Sequence, residues 1–397
     1  MPFENPQNII RSWNLQTNFA TGPVIQDKLI PPKFGRIRTN FVNTWREEAC
    51  DARLDWNVKD FSVYLPESLR VVSSIFLKVV LPANSSSAAY KKYPALYIIK
   101  TLRLVSGGQE LYSCDVPTML ADYCQSLTEE QLKVFGKTYL GHQDSMDDAT
   151  RHVWVPILLP NSAYGSRNGH DTRGHGVFPA YLGNQRLELQ FTLNDAEYLS
   201  AVAGQKPASI SGACTLMYHE CQMTNNNIRK YQDHRGNYSV INRRFTELTS
   251  GWTAYSSGTV VFRHSQPQGV VTELQIVAVA DDADETRHTF AYVRPTSIKV
   301  TADAIVQRDL DTVQKVESEL WQNGFVPPAD FPAPGRLCFA SHAAEATHMY
   351  SGGYNMSLAS NVDIEFTFAA ACRYKVIAVQ LQRVKINSNG RIRAFLE

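Results

Sequence analysis

The sequence predicts an all-β protein made of two consecutive eight-stranded antiparallel jelly rolls, with short helices as insertions. Three observations support this prediction. The first is that short apolar segments recur along the chain with turn residues between them. The second is that one of these segments, Arg186–Leu193, alternates polar and apolar residues without a break. The third observation is an order of elements that occurs twice, about half a chain apart. A period of that length indicates two related units and not an array of short repeats.

The first copy of this order begins with Leu96–Tyr112, where two apolar segments flank the tight turn Ser106–Gln109. The two glycines of this turn supply the positive φ that it requires. Asp115, followed by a valine and a proline, has the features of a helix start. Ser126–Glu129 has the features of a capping box that opens a second helix. The predicted order is therefore strand, turn, strand and helices.

The second copy has the same order with little sequence identity. Ser297–Asp303 precedes a short predicted strand, Ala304–Gln307, and Asp311 is predicted to cap a helix that runs to about Trp321. Near the end of the chain, Ser388–Gly390 contains an Asn-Gly pair between two alternating apolar segments. Such a pair is the strongest short-range signal of a hairpin.

The other predicted strands are short and are separated by turn residues. They are Ile37–Thr44, Ala52–Val58, Val71–Leu81, Arg151–Leu159, Ala213–Gln222, Val260–His264, Val270–Ala280, Asp363–Phe368, Val376–Ile386 and Arg391–Phe395.

The predicted domain organisation has three parts. Residues 1–34 form an N-terminal arm, 35–208 the first jelly roll and 209–397 the second, with the connection in the small and polar residues from Ala203 to Gly212. The arm combines prolines with apolar side chains that favour lying on a protein surface, although a disordered tail is the alternative. Those apolar residues are Ile9, Ile10, Trp13, Leu15 and Phe19.

Composition limits the function classes. The chain has 397 residues, 44% of them hydrophobic and 19% charged, with a net charge of +1, which gives no general attraction to nucleic acid or anionic membranes. The start lacks the basic and apolar regions of a signal peptide, so we expect synthesis in the cell interior without secretion. Seven cysteines at irregular spacing form no CxxC pair and are predicted to be buried free thiols.

Two histidine pairs are the candidate metal sites. His170 and His175 flank Asp171 in the polar loop Asn161–Gly176, and His342 and His348 flank Glu345. Imidazole and carboxylate groups are common metal ligands, but neither pair has the HExxH spacing that places two histidines on one helical face. We therefore expect ordinary loop histidines, no metal and no cofactor.

Two further motifs have ordinary structural interpretations. The acidic run Asp281–Glu285 lacks the spaced ligands and central glycine of a calcium loop, so a solvated turn is expected. The glycine turn at Gly107 and Gly108 lacks the lysine and serine of a phosphate-binding loop and joins strand to strand. No catalytic nucleophile, base or paired-carboxylate motif stands out, and we expect no enzymatic activity.

At this level of detail the sequence resembles the double jelly-roll major capsid proteins, the lineage that joins tailless membrane-containing phages, adenoviruses and large eukaryotic DNA viruses. The resemblance covers most of residues 36–397 in order, and no single segment is diagnostic. The matching segments are Leu69–Pro82, Ile99–Leu111, Val153–Pro160, Val177–Leu193, Val270–Val279, Tyr350–Leu358 and Ile377–Phe395.

The resemblance implies a viral major capsid protein, located in the virion. Three chains with two jelly rolls each would form a homotrimer of pseudo-hexagonal outline, and such capsomers tile an icosahedral capsid. The implied partners are further copies of the chain, neighbouring capsomers, and minor capsid, penton or cement proteins. The resemblance also allows an internal membrane on the N-terminal side, and it implies no sequence-specific nucleic acid.

Two other functions remain open at this stage, because jelly rolls also serve enzymes and lectins. One is a double-barrel amidase that cleaves glycans from asparagine. The other is a jelly-roll carbohydrate-binding protein in which Tyr164, Trp252 and Tyr255 stack on sugars.

Overall fold

A computed structural model describes the chain over thirteen ranges. They are residues 42–54, 59–65, 71–81, 90–125, 127–142, 151–157, 185–200, 212–222, 239–265, 268–280, 292–322, 334–339 and 353–396. Within them the chain forms four antiparallel sheets and three α-helices. None of the helices in these ranges has the length and apolar character needed to cross a membrane. The predicted N-terminal arm, residues 1–34, lies outside the described residues.

In the described ranges the first jelly roll consists of eight strands in two four-stranded sheets. The strands are β1 (Val42–Leu54), β2 (Asp60–Tyr64), β3 (Val71–Leu81), β4 (Ile99–Ser106), β5 (Gln109–Asp115), β6 (Arg151–Ile157), β7 (Leu187–Leu193) and β8 (Gly212–Gln222). One sheet has the order β1-β8-β3-β6 and the other β2-β7-β4-β5. Two helices, α1 (Val116–Gln125) and α2 (Glu129–Thr138), connect β5 to β6.

The other eleven strands that the structure describes belong to the second jelly roll. They are β9 (Ser239–Glu247), β10 (Thr253–Tyr255), β11 (Val260–Ser265), β12 (Val270–Ala280), β13 (Ser297–Ala302), β14 (Ile305–Leu310), β15 (Gly335–Cys338), β16 (Tyr354–Asn355), β17 (Asn361–Thr367), β18 (Cys372–Ile386) and β19 (Ile392–Leu396). Helix α3 (Val313–Gln322) connects β14 to β15.

The strand order of the second jelly roll repeats that of the first. Its sheets have the orders β10-β18-β12-β15 and β11-β17-β13-β14, with β9 and β19 also paired to β18 and β16 paired to β12. Since β9 and β10 both pair with β18, they correspond together to β1. Both halves thus place their first, eighth, third and sixth strands in one sheet. The predicted double jelly roll is confirmed.

The pairing of β8 corrects the predicted domain boundary. The sequence predicts that the strand Ala213–Gln222 opens the second jelly roll, at residues 209–397. Instead, β8 lies between β1 and β3 and pairs with both, so it closes the first jelly roll. The physical reason is that the last strand of a jelly roll returns to pair with the first, and this long-range pairing has no local composition signal.

The two central hairpins have the same register, residue for residue. In the first, Ser106 pairs with Gln109 and Val105 with Glu110, and a bulge follows. In the second, Ala302 pairs with Ile305 and Thr301 with Val306, and a bulge follows at the same step. Residues Gln109 and Glu110 on β5 therefore correspond to Ile305 and Val306 on β14.

The turns of both hairpins have positive φ at their two central residues. Gly107 and Gly108 have φ of 55° and 78°, as predicted, whereas Asp303 and Ala304 have φ of 46° and 68°. L-residues rarely adopt this conformation. The Asp303 carboxylate accepts hydrogen bonds from the backbone N–H groups of Ser360 (3.0 Å) and Asn361 (3.0 Å), which holds the second turn in place.

Three predicted element boundaries shift slightly in the structure. Leu96 and Tyr97 belong to a 3-10 helix, Pro94–Tyr97, and not to the predicted strand. The capping box of α2 is formed by Thr128 and Gln131, two residues after the expected Ser126 position. The Thr312 hydroxyl, and not Asp311, accepts the capping hydrogen bond at the start of α3.

The sheet around β12 and β18 is buried on both faces. One face, with Leu274 and Ile276, contributes to the core of the second jelly roll. The opposite face, with Val277, Ile377 and Val379, joins the apolar cluster of the first jelly roll. This sheet is therefore a wall shared by the two halves, and both of its faces exclude water.

Candidate functional site at the junction of the two jelly rolls

The junction is the contact between the shared wall and the β5 and α1 region of the first jelly roll. Strands β9 and β19 lie against β5. Phe245 on β9 is only 5% exposed, because it belongs to the apolar cluster of the first half. Apolar burial of this kind favours association of the two halves by roughly 25 cal/mol per Å² removed from water.

A buried charge cluster crosses the junction. Arg336, on β15 of the second jelly roll, is fully buried and forms ion pairs with Glu273 (2.6 Å) and with Asp122 on α1 of the first (2.8 Å). The side-chain amide of Gln275 donates to both carboxylates, at 2.8 Å to Glu273 and 3.2 Å to Asp122. Because removing one partner leaves a buried charge uncompensated, this cluster fixes how the halves dock.

The junction also contains a cleft of about 530 Å³, and Lys375 on β18 is one of the charged residues that line it. The Lys375 ammonium lies 3.3 Å from Asp115 of the first half and 3.4 Å from Glu247 of the second. It also lies 5.0 Å from the centre of the Trp252 ring. Burial alone would lower the pKa of Lys375, but Asp115 and Glu247 outweigh it and raise the pKa above 10.5.

A third polar contact across the junction centres on Glu110 of β5. It forms ion pairs with Arg103 of its own sheet (2.8 Å) and with Arg244 of β9 (3.2 Å), and it accepts a hydrogen bond from Ser113 (2.8 Å). Burial alone would raise the pKa of Glu110, but the hydrogen bonds and charges of these partners lower it below 4.5. The carboxylate therefore stays ionised and holds β9 to β5.

Several ionisable groups at the junction are held in their protonated forms. The Lys375 ammonium is a poor nucleophile, and burial raises the pKa of the Tyr97 and Tyr292 phenols that line the cleft. Burial also raises the pKa of the Cys114 thiol to about 12. In the described ranges no three His, Cys, Asp or Glu side chains are grouped to hold a metal. Neutral phenols and a neutral thiol are likewise weak nucleophiles.

The structure describes some of the candidate residues predicted from the sequence. Trp252 lines the junction cleft beside Lys375. Tyr255, a candidate of the carbohydrate-binding alternative, is not available to stack on a sugar. Its side chain is 5% exposed, and its hydroxyl lies within hydrogen-bond distance of the backbone carbonyl oxygens of Gly258 and Phe368. The other candidates lie outside the described residues, and they are Tyr164, His170, Asp171, His175, His342, Glu345 and His348.

Sequence reasoning missed the buried charge cluster. The only local signal was the pair of polar residues, Glu273 and Gln275, inside an apolar strand. Alternation of this kind normally indicates a solvated face. Their partners Asp122 and Arg336 lie far away in sequence, so nothing in the local pattern connects them.

Comparisons with known proteins identify similar folds among solved structures. No protein-family model and no curated protein matches the sequence. Among solved structures, a chain of the quasi-atomic model of the PBCV-1 virus capsid is similar with a TM-score of 0.68 at 13% identity, covering 90% of this chain and 97% of that one. The Faustovirus major capsid protein gives 0.62 at 10% identity, covering 87% and 90%.

The mavirus major capsid protein is a third similar structure, with a TM-score of 0.55 at 10% identity and coverage of 89% of this chain and 90% of that chain. At such identities the likeness establishes the fold. The chain shares the double jelly-roll fold of these capsid proteins over 87% to 90% of its length.

Proposed function

We propose that this chain is a viral major capsid protein that forms homotrimeric, pseudo-hexagonal capsomers and tiles an icosahedral capsid. The observation that carries the proposal is the repeat of one jelly-roll strand order in two halves, in a fold shared with the PBCV-1 capsid chain over 90% of this sequence. Three such chains present six similar units around an axis, and a hexagonal outline suits the tiling of a flat facet.

The junction supports this role physically. A capsomer must keep its outline under the forces of assembly, and here the two units are held by a shared apolar wall and by the buried pairs of Arg336. A hinged pair of domains would instead be joined by a small and polar interface. We also propose a structural protein and not an enzyme, because the similar solved structures are capsid proteins.

The proposed partners follow from this function. They are further copies of the chain, neighbouring capsomers and minor capsid, penton or cement proteins, with an internal membrane as a partner on the N-terminal side. The proposed location is the virion. We propose no sequence-specific contact with nucleic acid, and the net charge of +1 agrees with that.

Measurement of mass in solution tests the proposal. Light scattering after size-exclusion chromatography should give three times the chain mass of 44.6 kDa, and negative-stain images should show hexagonal particles. A stable monomer would contradict the proposal. The amidase and lectin alternatives predict release of glycans from glycopeptides or retention on a glycan array, and the capsid proposal predicts neither.

The N-terminal arm has an assembly role in this proposal. Deletion of residues 1–34 should leave a folded trimer that no longer assembles into correct shells. Normal particles from the truncated chain would show that the arm has no such role. Failure of the truncated chain to fold would place the arm in the core of the first jelly roll.

A further inference from the structure

A strand and a helix that are covered in the first jelly roll have exposed counterparts in the second. In the first half, β5 and α1 are covered by the second half, and most residues of α1 are buried. The corresponding elements of the second half, β14 and α3, are mostly exposed, with Ile305 at 66%, Val306 at 50% and Val313 at 44%. β14 is also the end strand of its sheet. An apolar sheet edge of this kind is a liability unless another surface covers it.

The surface that covers β5 within the chain also has a counterpart in the first half. Within the chain, β5 is covered by β9 and the shared wall around β18. The strand ladders identify the corresponding residues. Gln380 pairs with Val271, and the next pair, Val379 with Glu273, skips one residue on β12. Glu220 pairs with Val72, and the next pair skips one residue on β3 in the same way.

This shared register makes Trp45 the counterpart of Phe245. His219 corresponds to Val379, and these two residues pair with Trp45 on β1 and Phe245 on β9. Phe245 is 5% exposed because the first jelly roll covers it, whereas Trp45 is 52% exposed. Trp45 makes ring contacts with Phe76 at 6.0 Å and with Trp154 at 6.2 Å, so it belongs to an aromatic face.

We infer that the Trp45 face of one copy docks on the β14 and α3 face of a second copy, as Phe245 and the shared wall dock on β5 and α1 within one chain. Both surfaces occur once per chain, they differ from one another, and each matches a surface already buried at the inner junction. Contacts between two different surfaces of identical chains are head-to-tail, and they produce closed rings when the rotation closes. The inference rests on the proposed function, since it supplies the contact between neighbours in the trimer.

The chemistry of the two faces fits this pairing. Trp45 provides a large apolar and aromatic surface, and Ile305 and Val306 provide branched apolar side chains on a strand edge. Tryptophan is enriched among the residues that dominate interface affinity. Val306 takes the position of Glu110, which contacts β9 through Arg244 at the inner junction. The apolar contact between copies thus replaces a charged contact within the chain.

Two charge substitutions test the inference, with mass by light scattering as the readout. Trp45→Asp and Val306→Asp should each convert trimers to monomers at concentrations where the unchanged chain is fully trimeric. Val261→Asp is the matched control. Val261 is 56% exposed on β11, which is the opposite edge strand of the sheet that contains β14, so this substitution should leave trimers intact. Trp45→Ala serves as a second variant, and circular dichroism checks that each chain is folded.

A mixing experiment tests the head-to-tail arrangement. The Val306→Asp chain keeps its Trp45 face and the Trp45→Asp chain keeps its β14 face, so an equimolar mixture should give particles of twice the chain mass. A mixture that stays monomeric at all concentrations would overturn the arrangement. Trimers that survive both substitutions would overturn this inference and leave the capsid proposal standing, whereas a monomeric unchanged chain would overturn both.

Discussion

Replacing Arg336 with methionine is the sharpest test of the junction. The substitution keeps a long apolar side chain but leaves Asp122 and Glu273 buried, close together and without their cation. Removing one partner of a buried ion pair costs about 3 to 5 kcal/mol. Since whole domains are stable by only about 5 to 15 kcal/mol, this single change removes a large share of the stability.

Equilibrium unfolding in urea measures this loss. With a slope of about 3 kcal/mol per molar urea, the midpoint of Arg336→Met should fall by at least about 1 M. The transition should also separate into two steps, because Asp122 and Arg336 lie in different halves. Urea is preferred over guanidinium chloride because it is uncharged and leaves the ionic strength unchanged during the titration.

Two further variants make the result interpretable. Arg336→Met combined with Asp122→Asn and Glu273→Gln should recover at least half of the loss, because no uncompensated charge remains buried. Arg263→Met is the control, since Arg263 forms an ion pair with Asp363 (2.7 Å) on the exposed surface. Should Arg336→Met shift the midpoint no more than Arg263→Met, the reasoning about the buried cluster would be refuted.

Three other predictions concern the hairpins and pH. Gly107→Val should cost about 1 to 3 kcal/mol by urea unfolding, because an added Cβ at φ +55° would meet the side chain of Gln185. Ala304→Gly should stabilise by about 1 kcal/mol, because Ala304 holds φ 68°. Glu110→Gln should destabilise at neutral pH. Since the pKa of Glu110 is lowered in the folded state, the difference should be complete above pH 4.5 and vanish as pH falls through the folded pKa.

Each of these predictions has a contradicting outcome. Wild-type stability of Gly107→Val would mean that the turn tolerates a side chain, and Gly108→Val tests the positive φ alone, since no atom lies within 4 Å of its added Cβ. A lower midpoint for Ala304→Gly would show that the second turn carries no strain. A Glu110→Gln difference that is constant from pH 3 to pH 7 would exclude the ion pairs as its cause.

Local patterns were sufficient to predict the hairpins. The Gly-Gly turn at Gly107 and the Asn-Gly turn before Arg391 lie where the sequence predicts them, because turn geometry depends on the residues in the turn itself. The strand over Val71–Leu81 has its predicted bounds for a similar reason. Its run of apolar residues is bounded by residues that end strands.

Features that depend on distant residues could not be predicted in this way. The assignment of β8 to the first jelly roll depends on its pairing with β1, more than 150 residues earlier. The burial of Glu273 depends on Arg336 and on α1 of the other half. The second turn, with Asp303 and Ala304, has no glycine, so its positive φ has no signal in the sequence. In these cases tertiary contacts override local preference.

The closure of the first jelly roll by β8 has a consequence for vectorial synthesis. All eight of its strands lie between Val42 and Gln222, so this half can complete its sheets on the ribosome before the second half is made. The wall of Val277, Ile377 and Val379 is made afterwards, so the apolar contact between the halves is the last to form. We expect chaperones to bind mainly before this contact has formed.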